Sequence, residues 1–264
     1  MTKVKDIFDY LNTLAPVELK MDFDNVGLLV GDSECLVNKC IIALDITDEV
    51  IEEAVSAEAD LIISHHPIIF GALKSVTAND LTGRKVISLV RNNISAICMH
   101  TNLDIAEGGV NDALMKTLDA HTEGYLEYTS CDGNGKEAGC GRIGTLENEM
   151  QFDDFLGFCK ERLNSKGLRY YKAGDKVKNI AVMGGAGGSS VALAKSLGCD
   201  TYVTSDIKYN NFLDAKELGI NLIDADHFCT ENVVVQILLD ELSTKFSDVS
   251  FSASKVHKQT VQFF

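Results

Sequence analysis

The 264-residue chain has no tryptophan, two prolines and no C-x-x-C pair. Without paired cysteines at that spacing, zinc-ribbon and thioredoxin-like readings have no support. The eight cysteines, at 35, 40, 98, 131, 140, 159, 199 and 229, are expected to be reduced. Cys98, Cys159 and Cys199 lie among apolar or small residues, where a thiol packs as a small hydrophobe. Basic runs are also missing. With 24 Lys and Arg against 39 Asp and Glu the formal charge is -15, which excludes a nucleic-acid backbone as partner. No apolar stretch reaches the length of a membrane span, so no membrane partner is expected. The opening MTKVKDIFDYLNTL reads as an amphipathic helix without a cleavable-signal pattern, and the cytoplasm is the expected location.

What is present is an ordinary core-forming composition, 45% hydrophobic and 24% charged. Strand and helix patterns alternate along the chain, which predicts an α/β (α+β) fold. KCIIALDIT reads as a strand, with Thr47 as N-cap of the acidic-started helix DEVIEEAVSAEA. DLIIS, a helix near 80–92 and ISAICMH follow, then the loop and helix AEGGVNDALMKTL. Beyond 141 come strands at GRIGTL, 167–172, NIAVM, DTYVTSD and INLIDADH, with helices at 151–164, SSVALAKSLG and NNFLDAKELG between them. The glycine-rich stretch from about 122 to 141 is the expected crossing between two domains. The first domain is then 1–125 plus about 228–264, the second about 126–227.

The halves resemble each other. Asp60-Leu-Ile-Ile-Ser-His-His matches Asp200-Thr-Tyr-Val-Thr-Ser-Asp, and NISAICMHTNLD lines up with GINLIDADHFCTE. His65 and His66 thus fall where Ser205 and Asp206 fall, and His100 falls beside Asp226. Polar residues collect just past strands in equivalent places, which predicts two similar α/β domains facing each other.

In LIISHHPIIF two adjacent histidines close an apolar strand. Neighbouring side chains of a strand point to opposite faces. Pro67 forces the preceding residue into an extended conformation and cannot donate to a sheet ladder. The strand therefore ends before it, and both imidazoles leave on the same loop. Two further groups follow strand ends: His100 with Asp104, and His227 with Glu231. Ligands of open α/β sheets bind at such ends. If a helix starts directly after the last strand, His227 and Glu231 share one face of its first turn; if Thr230 caps that helix, His227 stays in the loop before it.

A single histidine at a strand end is usually a satisfied polar residue, and acids at helix starts usually cap. Adjacent histidines followed by two acid/histidine groups are harder to explain as packing. Imidazole and carboxylate donors together suit zinc, iron, manganese or nickel. With His100 set aside as a neighbour of Asp104, the three histidines His65, His66 and His227 and two carboxylates exceed what one catalytic zinc takes. Shared between two metals, they leave each ion an open position.

SHHP, HTNLD and the late H-x-x-x-E, with DNVGLLVGD and TSDIKY, resemble the motifs of the dinuclear metal-centre family related to NGG-interacting factor three. Its members are named GTP cyclohydrolase I type two homologues, and the resemblance runs over nearly the whole chain. It implies two α/β domains facing a central metal site, a toroidal homohexamer and two divalent metal ions per subunit. The ligands it implies are His65, His66, Asp104, His227 and Glu231. His100 is similar to a family histidine near the metals. Asp226 stands where the family commonly has glycine, so its carboxylate is open to a role as ligand or hydrogen-bond partner. Phe23 stands where tryptophan is common.

GGAGG follows a strand and opens a helix, a shape that fits a tight turn better than a phosphate cradle; Ser190 occupies the place of the third fingerprint glycine. Cys229 is expected to pack rather than bind metal, and the acidic helix EVIEEAVSAEAD to be a solvated face. The expected function is a metal-dependent hydrolase, GTP cyclohydrolase-like, in which metal-bound hydroxide attacks a nucleotide or similar small molecule. His100 or Asp226 would serve as general acid or base, and Asp104 and Glu231 as bridging ligands. The alternative is a non-catalytic metal-binding or regulatory hexamer, a store, sensor or partner platform using the same ligands.

Overall fold

A computed structural model describes residues 1–131 and 137–264. Its strands are β1 (Gly27–Val30), β2 (Lys39–Ala43), β3 (Leu61–Ser64), β4 (Ser95–Cys98), β5 (Ala120–Cys131), β6 (Glu137–Gln151), β7 (Arg169–Tyr171), β8 (Lys176–Val182), β9 (Thr201–Thr204), β10 (Asn221–Asp224) and β11 (Ser250–Ala253). The chain divides into two compact units: Met1–Leu103 with Val235–Lys258, and Asp104–Val234 with Gln259–Phe264.

The first unit holds a sheet of order β1-β4-β3-β2-β11. β2, β3, β4 and β11 run parallel, and β1 lies antiparallel on β4. β3 and β4 are buried along their whole length, as is β2 beyond Lys39. Their apolar runs without alternation reflect that both faces are covered. On one face, Ile41, Ile62 and Ala96 pack with Val50, Ile51 and Ala54 of the helix Asp48–Ser56 and Leu89 of the helix Leu81–Arg91. Thr47 caps the first of these helices by accepting the Val50 amide, as its sequence requires.

The second unit holds a sheet of order β5-β6-β8-β9-β10-β7, in which β8, β9 and β10 are parallel. Its core joins Val203 and Ile223 of the sheet to Phe152, Phe155 and Cys159 of the helix Phe152–Arg162. The repeat read in the sequence has a physical counterpart. Asp60 accepts the Asn38 and Lys39 amides at the entry of β2. Asp200 accepts the Lys178 and Asn179 amides of β8 in the same way. Asp60 fixes the start of β2, and Asp200 fixes β8 just before its parallel pairing with β9 begins at Ile180. Each unit also has an antiparallel strand, β1 or β7, against the third of its parallel trio.

Two expectations change. The described parts of the stretch 122–141 are not a crossing but belong to β5 and β6, a long antiparallel pair; residues 132–136 lie outside the described residues. Glycine here serves strand packing: a Cβ on Gly139 would stand 2.3 Å from the Glu127 carbonyl oxygen. Thr230 does not cap a helix either. The helix His227–Glu231 begins at Asp226, whose side chain accepts the Cys229 amide. Of the seven cysteines with described side chains, Cys35 is exposed and Cys40, Cys98, Cys140, Cys159, Cys199 and Cys229 are buried; Cys131 lies outside that set.

Candidate metal centre

The three parallel strands β2, β3 and β4 place their carboxyl ends side by side, and the loops leaving β3 and β4 bring the first group of candidate ligands together. The His66 amide donates to the Leu44 carbonyl at 2.9 Å, so the loop leaving β3 follows the loop leaving β2. One ring nitrogen from each of His65, His66 and His100 lies within 4.8 Å of the others. His65 is fully buried, and the His65 and His100 ring centroids are 5.2 Å apart. The exposed ring of Phe70 stands edge-on to His100 at 6.3 Å. Among the described residues, groups of buried histidine and glutamate could hold a metal ion.

His65, His66, His100 and His227 are each held through Nδ1. His65 Nδ1 lies 2.8 Å from the Met99 carbonyl oxygen, which can only accept, so Nδ1 carries the proton. His66 Nδ1 lies 2.8 Å from Asp45 Oδ1, and His100 Nδ1 2.8 Å from Asp24 Oδ1. In the second unit His227 Nδ1 lies 2.8 Å from Asp206 Oδ2. In a neutral imidazole, a proton at Nδ1 leaves a lone pair on Nε2, the arrangement ligating histidines have. The Asp24 and Asp45 carboxyls sit well below the usual carboxylate range. Burial pushes both up, but His100 and Thr101 bonds to Asp24, and His257 and His66 bonds to Asp45, outweigh it.

In the second unit the late pair shares one helical face, with His227 Nε2 3.0 Å from Glu231 Oε2. Burial disfavours a charged imidazole there, but Glu231 and Asp206 on either side raise the His227 pKa to about 9. Two carboxylates flanking one imidazole make a place where positive charge is favoured, which a divalent cation fits as well as a proton does. Asp104 lies in the helix Thr101–Ile105, and its carbonyl accepts from Asn111, whose own amide oxygen receives the Gly184 amide at 2.9 Å.

The GGAGG loop meets Glu231 directly. Gly185 has φ +66°, and a Cβ there would stand 2.2 Å from Glu231 Oε1. Three of the five loop amides are committed inside the protein: Gly184 donates to Asn111, Gly185 to Thr230 and Gly187 to Thr204. These three amides are used within the fold and do not cradle phosphate. Gly185→Ala is expected to cost about 1 kcal/mol or more from the left-handed backbone alone and to push the Glu231 carboxylate aside. Thermal unfolding beside a metal titration checks both effects.

Asp226 has φ +77°, where glycine is at home, and its carboxylate is engaged by the Cys229 amide and by Gln259. Cys229 packs in the core, and burial pushes its thiol up to about 12, so it offers no thiolate at neutral pH. The sequence reading missed Asp45, Asp24 and Asp206 as partners of the histidines. All three stand in or next to motifs it quoted, but the pairing joins residues far apart in the chain.

The sequence profile of the Duf34/NIF3 (NGG1p interacting factor 3) family matches residues 2–260. The chain belongs to this family. Among NIF3-family relatives, the GTP cyclohydrolase 1 type 2 homolog of Clostridium perfringens is 39% identical over 265 residues, covering 99% of each chain. The Clostridium acetobutylicum protein of the same name is 38% identical, covering 91% of this chain and 89% of its own. A crystal structure of a Bacillus cereus protein related to NIF3 superposes with TM-score 0.93 at 27% identity, covering both chains completely.

Proposed function

We propose that this NIF3-family chain is a dinuclear metal-dependent hydrolase acting on a nucleotide or similar small molecule. The observation that carries the reading is the shared anchoring of four histidines through Nδ1. A packing histidine has no need of a fixed tautomer, whereas a ligand or a proton-transfer group does. The name of its relatives, GTP cyclohydrolase 1 type 2 homolog, agrees with hydrolytic chemistry.

His65, His66, Asp104, His227 and Glu231 would hold two divalent cations, drawn from zinc, iron, manganese and nickel. When bound, such ions polarise a substrate and lower the pKa of water. Asp45 and Asp206 orient His66 and His227. His100, held by the buried Asp24, presents Nε2 for proton transfer, so it carries the general acid or base role. Asp226, with its carboxylate spent on the helix start, holds His227 in place instead. The homohexamer and the cytoplasmic location belong to the same reading, and no described helix is long and apolar enough to cross a membrane.

The test is elemental analysis of untagged protein together with hydrolysis of a nucleotide panel that includes GTP. About two metals per chain, with turnover lost on chelation and restored by reloading, is the expected result. Two metals without turnover would replace the hydrolase by a metal store, sensor or partner platform.

A further inference from the structure

β11 lies parallel to β2 with Ala253 opposite Ile42, so the chain beyond β11 leaves the sheet beside the chain beyond β2. Three contacts fix its course. The Ser254 amide donates to the Ile42 carbonyl at 2.8 Å. Ser254 Oγ donates to Glu53 Oε2 at 2.5 Å, and the Lys255 amide to Glu53 Oε1 at 2.9 Å, which latches the segment to the helix Asp48–Ser56. The His257 amide then donates back to Ser254 Oγ at 3.1 Å. The result is a turn that aims the His257 ring inward, where its side chain is 7% exposed.

That ring meets Asp45. His257 Nε2 is 3.2 Å from Asp45 Oδ2, while the other oxygen, Oδ1, receives His66 Nδ1 at 2.8 Å. One carboxylate is thus gripped at both oxygens, by His66 on one side and His257 on the other. A carboxylate with a single partner rotates about its Cβ–Cγ bond; one bonded through both oxygens has its plane set. The plane of Asp45 in turn sets the direction of the His66 ring.

We propose that His257 is a positioning residue for the metal centre, acting through Asp45 on His66 in a relay His257–Asp45–His66. The C-terminal segment thereby becomes part of the structure that aims a candidate ligand. The inference rests on the metal reading above, but it concerns a residue that no part of that reading uses. It also gives the Ser254–Glu53 latch a purpose: it sets where His257 starts. Losing an outer-shell partner of a ligating histidine typically lowers metal affinity 10–100-fold.

The experiment is titration of the full-length apoprotein with Zn²⁺ against a competing chromophoric chelator. The proteins compared are wild type, His257→Ala, His257→Gln, Asp45→Ala and the double variant His257→Ala/Asp45→Ala, each checked for folding by circular dichroism. His257→Ala is expected to weaken one of the ions by about 10-fold or more. Glutamine, which keeps an N–H donor, should recover most of that loss. In the Asp45→Ala background, removing His257 should change nothing further, an outcome that a general loss of packing would not give. Wild-type affinity in His257→Ala, or full additivity of the two substitutions, would overturn the relay while leaving the metal reading intact. Should His257→Ala fail to fold, wild-type affinity in a His257→Leu variant would overturn it equally. A wild-type protein that takes up no metal would overturn both.

Discussion

Replacing Glu231 by alanine is expected to lower bound metal from about two ions per chain to one or fewer, with apparent affinity falling by more than the roughly 100-fold that marks outer-shell losses. Glu231 is 4% exposed and packs against Gly184 and Gly185, where a Cβ would collide with it. A buried carboxylate held by glycines at that distance has little freedom to be replaced by a neighbour. His66→Ala should act in the same direction, because its Nδ1 is already committed to Asp45. Both variants should keep the fold. Elemental analysis after dialysis, beside an unfolding curve, separates this from a structural role. If the His227–Glu231 pair served stability alone, Glu231→Ala would keep its metal and lose about 3–5 kcal/mol, as broken buried pairs do.

Arg142 is the second large effect. Its side chain is buried within the second unit, and all of its N–H groups are used. Nε and Nη2 each reach an oxygen of Asp112 at 2.9 Å. Nη1 donates to the Gly139 and Gly141 carbonyls at 2.8 and 2.9 Å, and Nη2 donates to the Ala106 carbonyl at 2.9 Å. The guanidinium also lies over the Tyr125 ring, 4.7 Å from its centroid. Arg142→Ala takes the guanidinium from three carbonyl oxygens and from Asp112, which keeps only the Gly108 amide among the described residues, so a loss of about 3 kcal/mol is expected. Arg142→Lys should recover little of it, since an ammonium cannot form the two-pronged contact with Asp112. Urea unfolding monitored by circular dichroism measures both, and a loss below about 1 kcal/mol would contradict the assigned role.

The parallel strands were legible because their signal is local. Continuous apolar runs at DLIIS and ISAIC, and the Thr47 cap, need no knowledge of distant partners. The adjacent histidines were legible for the same reason, with Pro67 marking the strand end. β11 was not. SFSA is short and half exposed, and only its pairing with β2, some two hundred positions earlier, makes it a strand. The β5–β6 pair was hidden by its glycines, which composition reads as loop but which here let two strands approach closely. Arg142 gave no sign in GCGRIG, because the Asp112 carboxylate and the Ala106 carbonyl that hold its guanidinium lie in an earlier segment of the chain. The partners of the histidines were missed likewise: an aspartate after a strand looks the same whether it faces water or an imidazole.

The composite build of the first unit bears on synthesis at the ribosome. Residues 104–234, the main part of the second unit, emerge before the first unit receives Val235–Lys258. Until β11 arrives, one edge of β2 has no neighbour, and an open sheet edge invites pairing with other chains. Closing a loop of that length adds only a slowly growing entropic cost, so the delay is set by translation rather than by chain search. A nascent chain paused before residue 250 would lack both β11 and His257, with its sheet still open at one side and Asp45 still without its second histidine.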